Sequence, residues 1–457
     1  MTQTIQNCFS SFLIGLTLAA FLLSPTYLEG QSDDEVKLPK FRAQTIDSQV
    51  IIGYGTAIGD VDGDGKPDIL LADKKQFVWY QNPTWKRHVI AENLTERDNV
   101  CIAARDIDGD GKVEIAVGGQ WNPGDTINSG SVHYLVAPED RTQKWTPIEL
   151  EHEPVVHRMR WVKIGEKQFV LVVAPLHGRG NKGGAGDGVK LLAYHKPADP
   201  TQPWKTEVLD DKFHITHNFD VVKWNEKDKS ESVLHLGKEG AKWIQYKDDS
   251  WKSAILHGIN GGGEIRLGRF GNEPIVATVP RQNQNNSQQR LGDEAQTVSA
   301  QSNFIATIEP FHGTNLVVYS QHFDSPKDAF QLRGGLKWSF KPLAVLDKNF
   351  NQGHAIAVAD LLGNGSQQIV AGWRNPNDEG KFGIKLYYQP ETEKPWDPKA
   401  WSTRPWKSTF IDENEMACED LRIGDLNGDG RPDIVASGRS THNLKVYWNE
   451  KPNDESE

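Results

Sequence analysis

The sequence predicts an all-β protein, a seven-bladed β-propeller of four-stranded antiparallel blades whose ring is closed by the N-terminal strand. Three recurrences carry the prediction. A Trp-led stretch ending in aliphatics recurs as WKRHVI (Trp85), WTPIEL (Trp145), WKTEVL (Trp204), WKSAIL (Trp251), WSFKPL (Trp338) and WKSTFI (Trp406), and Phe41 opens a seventh copy, FRAQTI. An alternating strand rich in aromatics also recurs seven times: FVWYQN (77–82), SVHYLVAP (131–138), VKLLAYHKP (189–197), AKWIQYKD (241–248), NLVVYSQ (315–321), IKLYYQP (384–390) and NLKVYWNE (443–450). A DxDGDG-type turn stands in GDVDGDGKPDILLA (59–72), RDIDGDGKVEIAVGG (105–119) and GDLNGDGRPDIVASG (424–438), with a degraded copy in NQGHAIAVADLLGNG (351–365).

Taken in order, each unit opens with an inner strand and a turn, which in three units carries DxDGDG. A second strand, a variable loop, the aromatic third strand and the Trp-led fourth strand follow. Period-two alternation between Gly/Asn/Asp turns supports strands throughout, and no segment has convincing helical periodicity. FRAQTI precedes the first inner strand, and the last unit ends after its third strand. The N-terminal segment is therefore expected to supply the missing fourth strand and remove an open edge.

Residues 11–23, SFLIGLTLAAFLL, have the length of a signal-peptide apolar core and are short for a membrane span. Residues 1–30 are accordingly expected to be a signal peptide, which places the protein in a secreted or periplasmic compartment and leaves no membrane span in the mature chain. The preceding MTQTIQNC has no Lys or Arg, so an uncleaved anchor is the rival reading. Residues 31–457 form the propeller, with a polar low-complexity insertion at 281–303. The formal net charge is −11 and no basic stripe is present, which argues against nucleic acid as a partner. Cys101 and Cys418 lie in similar frames near apolar strands and read as small buried thiols.

In the intact turns, oxygen ligands fall at positions 1, 3, 5 and 9: Asp60, Asp62, Asp64 and Asp68; Asp106, Asp108, Asp110 and Glu114; Asp425, Asn427, Asp429 and Asp433. Hard oxygen ligands at odd spacing around tight glycine turns suit structural Ca²⁺. The alternative is a solvated Asp/Gly turn. At 360–368, Asp360 and Asn364 remain, but Leu362 and Gln368 replace the other ligands, so no ion is expected there.

Aligning the inner strands gives a second constellation. The residue six before the first loop aspartate is Tyr54, Val100, His354 and Glu419 in units one, two, six and seven. The apolar strands of units three, four and five supply His157, His217 and Glu264 at the equivalent position. One position per blade sits at one height of a propeller channel, so these groups should converge. His157, His217 and His354 are expected to bind Zn²⁺ or another divalent transition metal, with Glu264 or Glu419 completing the set. His177 or Tyr54 is expected to move the proton. The bland alternative is a set of channel histidines bonded to water. The loops joining second and third strands return to this face, and Arg179, Arg374, Arg439 and His442 are candidates to rim a pocket for a carbohydrate-like or anionic ligand.

The turns resemble FG-GAP/VCBS repeats, a family of calcium-bearing propeller blades. VVHRMRW, VVAPLHGRG, HITHNFDVV and MACEDL with SGRSTHNLKVYWNE resemble the propeller of the aldos-2-ulose dehydratase family. That resemblance implies a metal-dependent dehydration of a keto-sugar by β-elimination in the propeller, with a later isomerisation carried by cupin domains. It offers His157, His177, His217 and His354 as candidate functional residues. The competing expectation is a non-catalytic, calcium-stabilised propeller that binds glycan or protein.

Overall fold

Alternation and turn chemistry resolve into strands throughout: no helix occurs among the described residues. The structure, a computed structural model, describes residues 38–224, 228–271, 275–280, 295–300, 303–322, 338–390 and 405–451. All of these belong to one compact unit, Lys37–Glu457. The expected signal peptide and most of the expected insertion lie outside the described residues. One part of that insertion differs from expectation: Ala295–Ala300 is a strand paired with Ile275–Pro280.

In unit one, Gly55–Gly59, Asp68–Ala72, Gln76–Gln81 and Lys86–Glu92 pair in sequence as an antiparallel sheet. Units two, three and six repeat this four-stranded order. Units four and five differ from the expected separate blades, because they share one eight-stranded sheet. It is joined where Leu256 and His257 meet Trp338 and Ser339 in a short parallel contact between outer strands. In the last unit, Lys40–Asp47 pairs antiparallel with Asn443–Glu450, placing Phe41 opposite Asn449 and Ala43 opposite Tyr447. The innermost strands, Gly55–Gly59, Cys101–Arg105, Val156–Gly165, Thr216–Val222, Glu264–Arg269, Gly353–Ala359 and Cys418–Gly424, neighbour one another in that order, and the last neighbours the first.

Second and third strands carry nearly continuous apolar runs because sheets cover both of their faces. Asp68–Ala72 is buried throughout, and Phe77, Trp79, Tyr80 and Trp373 are among the largest fully buried side chains. Fourth strands are partly exposed instead, as in Lys86–Glu92, because they lie at the outer edge of each four-stranded sheet. Both cysteines are free and buried, as expected.

A recurring polar latch joins successive units. Asp412, near the end of one fourth strand, accepts from Tyr447 Oη (2.7 Å) and Lys445 Nζ (3.0 Å) of the next third strand. Asp347 does the same with Tyr387 (2.7 Å) and Lys385 (3.1 Å). Asp47 receives Tyr80 Oη at 2.6 Å, so the N-terminal strand is latched to unit one in the same way.

Candidate metal centre

Four of the inner-strand ring residues sit at β-bulges. The register shifts by one between Val156 and Arg158, between Thr216 and Phe219, between Gly353 and Ala355, and between Cys418 and Asp420. The unmatched positions hold His157, the His217–Asn218 pair, His354 and Glu419. A bulge adds a residue that the ladder does not pair, and so re-aims its side chain. All four named side chains are buried: His157 is 5% exposed, His217 1%, His354 3% and Glu419 2%.

The rings gather closely. The His217 ring centroid lies 4.4 Å from His157, 4.7 Å from His354 and 4.5 Å from His312. One ring nitrogen each of His217, His312 and His354 lie within 4.8 Å of one another. The sequence expectation named His157 with His217 and His354, whereas this grouping has His312 in that place. His157 is committed elsewhere: its Nδ1 donates to the His217 carbonyl at 2.8 Å, and its Nε2 receives Arg158 at 3.2 Å.

His312 comes from PFHGT, the loop between the strands Asn303–Glu309 and Asn315–His322, where it has φ of 48°. The loop is anchored to the next inner strand, since Gly353 N–H donates to the Gly313 carbonyl one residue before His354. Gly313 has no room for a side chain, as a Cβ would lie 2.1 Å from the Glu309 backbone. Sequence reasoning missed His312 because it sought ligands only on inner strands and rim groups only in the longer loops. A histidine in a loop of the same class was the available signal.

Hydrogen bonds set which nitrogens face the centre. His217 Nδ1 donates to Glu264 Oε1 at 2.9 Å, leaving Nε2 buried and unpartnered. His354 Nδ1 donates to the Glu419 carbonyl at 2.5 Å. His312 Nε2 is also buried without a partner. Burial lowers the pKa of all of these rings. His157 adds to the effect at His217, and Arg374 adds to it at His354 and at His312, which falls to about 3. The imidazoles are therefore neutral and present lone pairs, the donor state a divalent metal requires. A carboxylate behind one imidazole is the usual way such a ligand is oriented.

The two expected carboxylates take different roles. Glu264 Oε2 also accepts from Asn218 (2.8 Å), and burial pushes the Glu264 carboxyl up to about 7. Glu419 is clamped by Arg374 and Arg439, each at 3.0 Å, with Oε1 4.0 Å from His354 Nε2. Tyr54 lies beneath the Arg439 guanidinium (5.4 Å) and donates to Asp98 at 3.3 Å. Burial pushes its hydroxyl up to about 12. His177 bridges to Ile215, two residues before His217, and its Nδ1 is buried without a partner. Two expected rim groups are engaged: Arg179 with Glu153 (3.4 Å) and Ile127, and His442 with the Val50 and Ile51 carbonyls.

The DxDGDG turns are held from within. Asp60 accepts from Gly63 and Gly65, and Asp68 accepts from Val61 and Asn82. Oxygens of Asp60, Asp62 and Asp68 lie within 4.8 Å of one another, as do those of Asp106, Asp108 and Glu114. Asp64 turns to Lys66, while Asp110 accepts from the Lys112 N–H. In the third turn, Asp425 accepts from Gly428 and Gly430, Asn427 from Asp429, and Asp433 from Leu426 and Asn449, while Asp429 pairs with Arg431. Burial, with the neighbouring loop acids adding to it, raises Asp68 and Glu114 to about 7. In the degraded turn, Gln368 Oε1 accepts from Leu361 as Asp68 does from Val61, and its amide donates to the Ser366 carbonyl at 2.7 Å. A neutral amide thus closes the loop internally.

Residues 129–322 match the family "Aldos-2-ulose dehydratase, beta-propeller domain". The chain resembles that propeller. The matched span contains His157, His177, His217, Glu264 and His312. Residues 60–117, with two of the intact turns, match an FG-GAP-like repeat. Aldos-2-ulose dehydratase of Phanerodontia chrysosporium is 22% identical over 383 residues, 80% of this chain and 39% of that protein. The chain therefore spans well under half of that relative. Among solved structures, a chain in the "Crystal Structure of Mitotic Checkpoint Complex" aligns with a TM-score of 0.46 at 11% identity, covering 96% of this chain and 100% of that one. AofleA from Arthrobotrys oligospora aligns with a TM-score of 0.39 at 8% identity, covering 82% and 91%.

Proposed function

We propose that this chain is an extracytoplasmic, seven-bladed propeller that dehydrates a keto-sugar by β-elimination at a divalent metal held by His217, His312 and His354. The observation that carries the reading is the pair of buried, unpartnered Nε2 atoms on His217 and His312 beside His354. Cyclic adjacency of the inner strands and the pairing of Lys40–Asp47 with Asn443–Glu450 support the closed ring. The similarity to aldos-2-ulose dehydratase supports a carbohydrate substrate.

A metal held there, Zn²⁺ or another transition ion, would supply a Lewis acid for a ketone oxygen. The protein's own groups do the rest. The free Nδ1 of neutral His177 takes the proton from the carbon beside the ketone. The C–O bond at the next carbon then breaks, and the Tyr54 hydroxyl, protonated at neutral pH, delivers its proton so that the group leaves as water. Arg374 and Arg439 fix Glu419 beside His354. Ca²⁺ in the three DxDGDG turns serves structure, because its carboxylates lie beyond the ends of the inner strands.

The test is metal analysis after exhaustive dialysis against a calcium-selective chelator, together with the rise of enone absorbance from a keto-sugar. Retained transition metal and His312-dependent turnover are expected. Calcium alone, with no turnover, would leave the second reading, a glycan-binding propeller stapled by its turns.

A further inference from the structure

We propose that Trp121 is the surface on which the sugar ring of the substrate stacks. The inference deepens the reading of the site as one for a keto-sugar and rests on it: the histidine trio serves the ketone, and the indole serves the ring.

The repeat does not account for Trp121. It belongs to none of the three recurrent motifs and lies in GGQWNPGDT, at the start of the loop between the strands Glu114–Gly119 and Ser131–Val136. Trp79 and Trp373 are fully buried within their blades, whereas Trp121 is only half-buried. It packs against the core cluster that includes Val100, Val156 and Met159, and its ring lies 5.0 Å from that of His157, tilted by 31°. The His157 ring in turn lies 4.4 Å from His217. Two successive ring contacts thus lead from the indole to a candidate metal ligand, a reach over which one hexose can touch both. Phe311 is also half-buried beside the trio, but it stands edge-on to His217 (5.1 Å, 89°) and 4.5 Å from His312, so it packs on the candidate ligands themselves.

The loop carrying Trp121 is tied to both groups assigned to proton transfer. The Trp121 N–H donates to the Asp98 carbonyl at 2.9 Å, and the Asp98 carboxylate accepts from Tyr54. Farther along, the Thr126 carbonyl accepts from the Gly180 N–H at 3.0 Å and the Ile127 carbonyl from Arg179, so the loop also meets the one that carries His177. At its base, the Gln120 N–H donates to Thr95 Oγ1 and the Gln120 amide oxygen accepts from the Arg97 N–H, each at 3.0 Å. The indole is therefore held in place before a ligand arrives, which lowers the ordering cost of binding. A sugar ring presents C–H groups as well as hydroxyls, and it suits a flat apolar surface set among a few polar groups. Tryptophan supplies a large aromatic face at small cost in side-chain entropy, with one N–H donor at its edge.

The test uses the full chain and methyl β-glucopyranoside, a pyranose with no free carbonyl, titrated by ligand-observed NMR so that no signal depends on Trp121 itself. Saturable binding is expected, weakened at least about tenfold in Trp121→Ala and kept within about threefold in Trp121→Phe, which retains an aromatic face. Glucitol, an acyclic polyol, should bind at least about tenfold more weakly than the glucoside. No saturable binding to the wild-type chain, unchanged affinity in folded Trp121→Ala, or equal affinity for glucitol overturns the proposal. With a keto-sugar, Trp121→Ala should raise KM at nearly unchanged kcat and keep the transition-metal content of wild type. Loss of the metal in that variant would make Trp121 a structural residue and also overturn the proposal. A wild-type chain with neither retained metal nor turnover defeats the dehydratase reading instead, and the glucoside titration still decides the role of Trp121.

Discussion

Glu264 determines which nitrogen of His217 is free. By accepting from Nδ1 it leaves Nε2 to the centre, and Asn218 holds its other oxygen. Glu264→Gln keeps the shape but weakens this orientation, so retained metal should bind about 10–100-fold more weakly. A chelator competition series measures this, with circular dichroism unchanged. A sharper contrast separates His312 from His157. His312→Ala should abolish retention of the transition metal, whereas His157→Ala should keep the metal stoichiometry and lower thermal stability, because both nitrogens of His157 bond within the protein. The reverse pattern would remove His312 from the site. The turn carboxyls respond to pH. The folded-state values of Asp68 and Glu114, about 7, lie above their unfolded values. The folded, calcium-free chain therefore binds more protons than the unfolded one between roughly pH 4 and pH 7, and loses stability as pH rises through that window. A calcium ion held by these carboxylates would compete with those protons. Its increment in melting temperature should be larger at pH 7.5 than at pH 5, and equal increments would show that these carboxyls do not hold the ion.

At the scale of the element, bulges and latches explain what alternation does not. A regular inner strand would leave His354 paired in the ladder, whereas the added residue frees it. Sequence alignment placed that residue at one height but could not show the bulge, since a bulge changes pairing and leaves composition untouched. The latch aspartates were equally invisible, because an acid at the end of a half-exposed strand usually meets water. Asp412 instead meets Lys445, only 5% exposed, and Tyr447. Asp412→Ala leaves a buried ammonium with only Glu415 beside it, and should cost roughly 3–5 kcal/mol, read from the urea midpoint at unchanged slope. A cost below about 1 kcal/mol would mean that the latch adds only geometry.

For the whole molecule, Lys40–Asp47 covers the outer edge of the last sheet and brings Asp47 to Tyr80 in unit one. Removing residues 38–47 exposes the full edge of Asn443–Glu450 and breaks that latch. Such an edge pairs with other chains. The truncated protein should self-associate in a concentration-dependent way, seen by light scattering after size exclusion, and a monomer of unchanged stability would refute the seam.

Repetition made the repeated parts legible: strands, turns, the inner-strand position and the terminal pairing follow from motifs that recur along the sequence, since each unit must bury the same two faces. The partnership of His312 with His217 and His354, and the exclusion of His157 from it, belong to the tertiary structure. They depend on where one short loop lies against the next unit and on which hydrogen bonds each ring has already made, and neither is periodic in the chain.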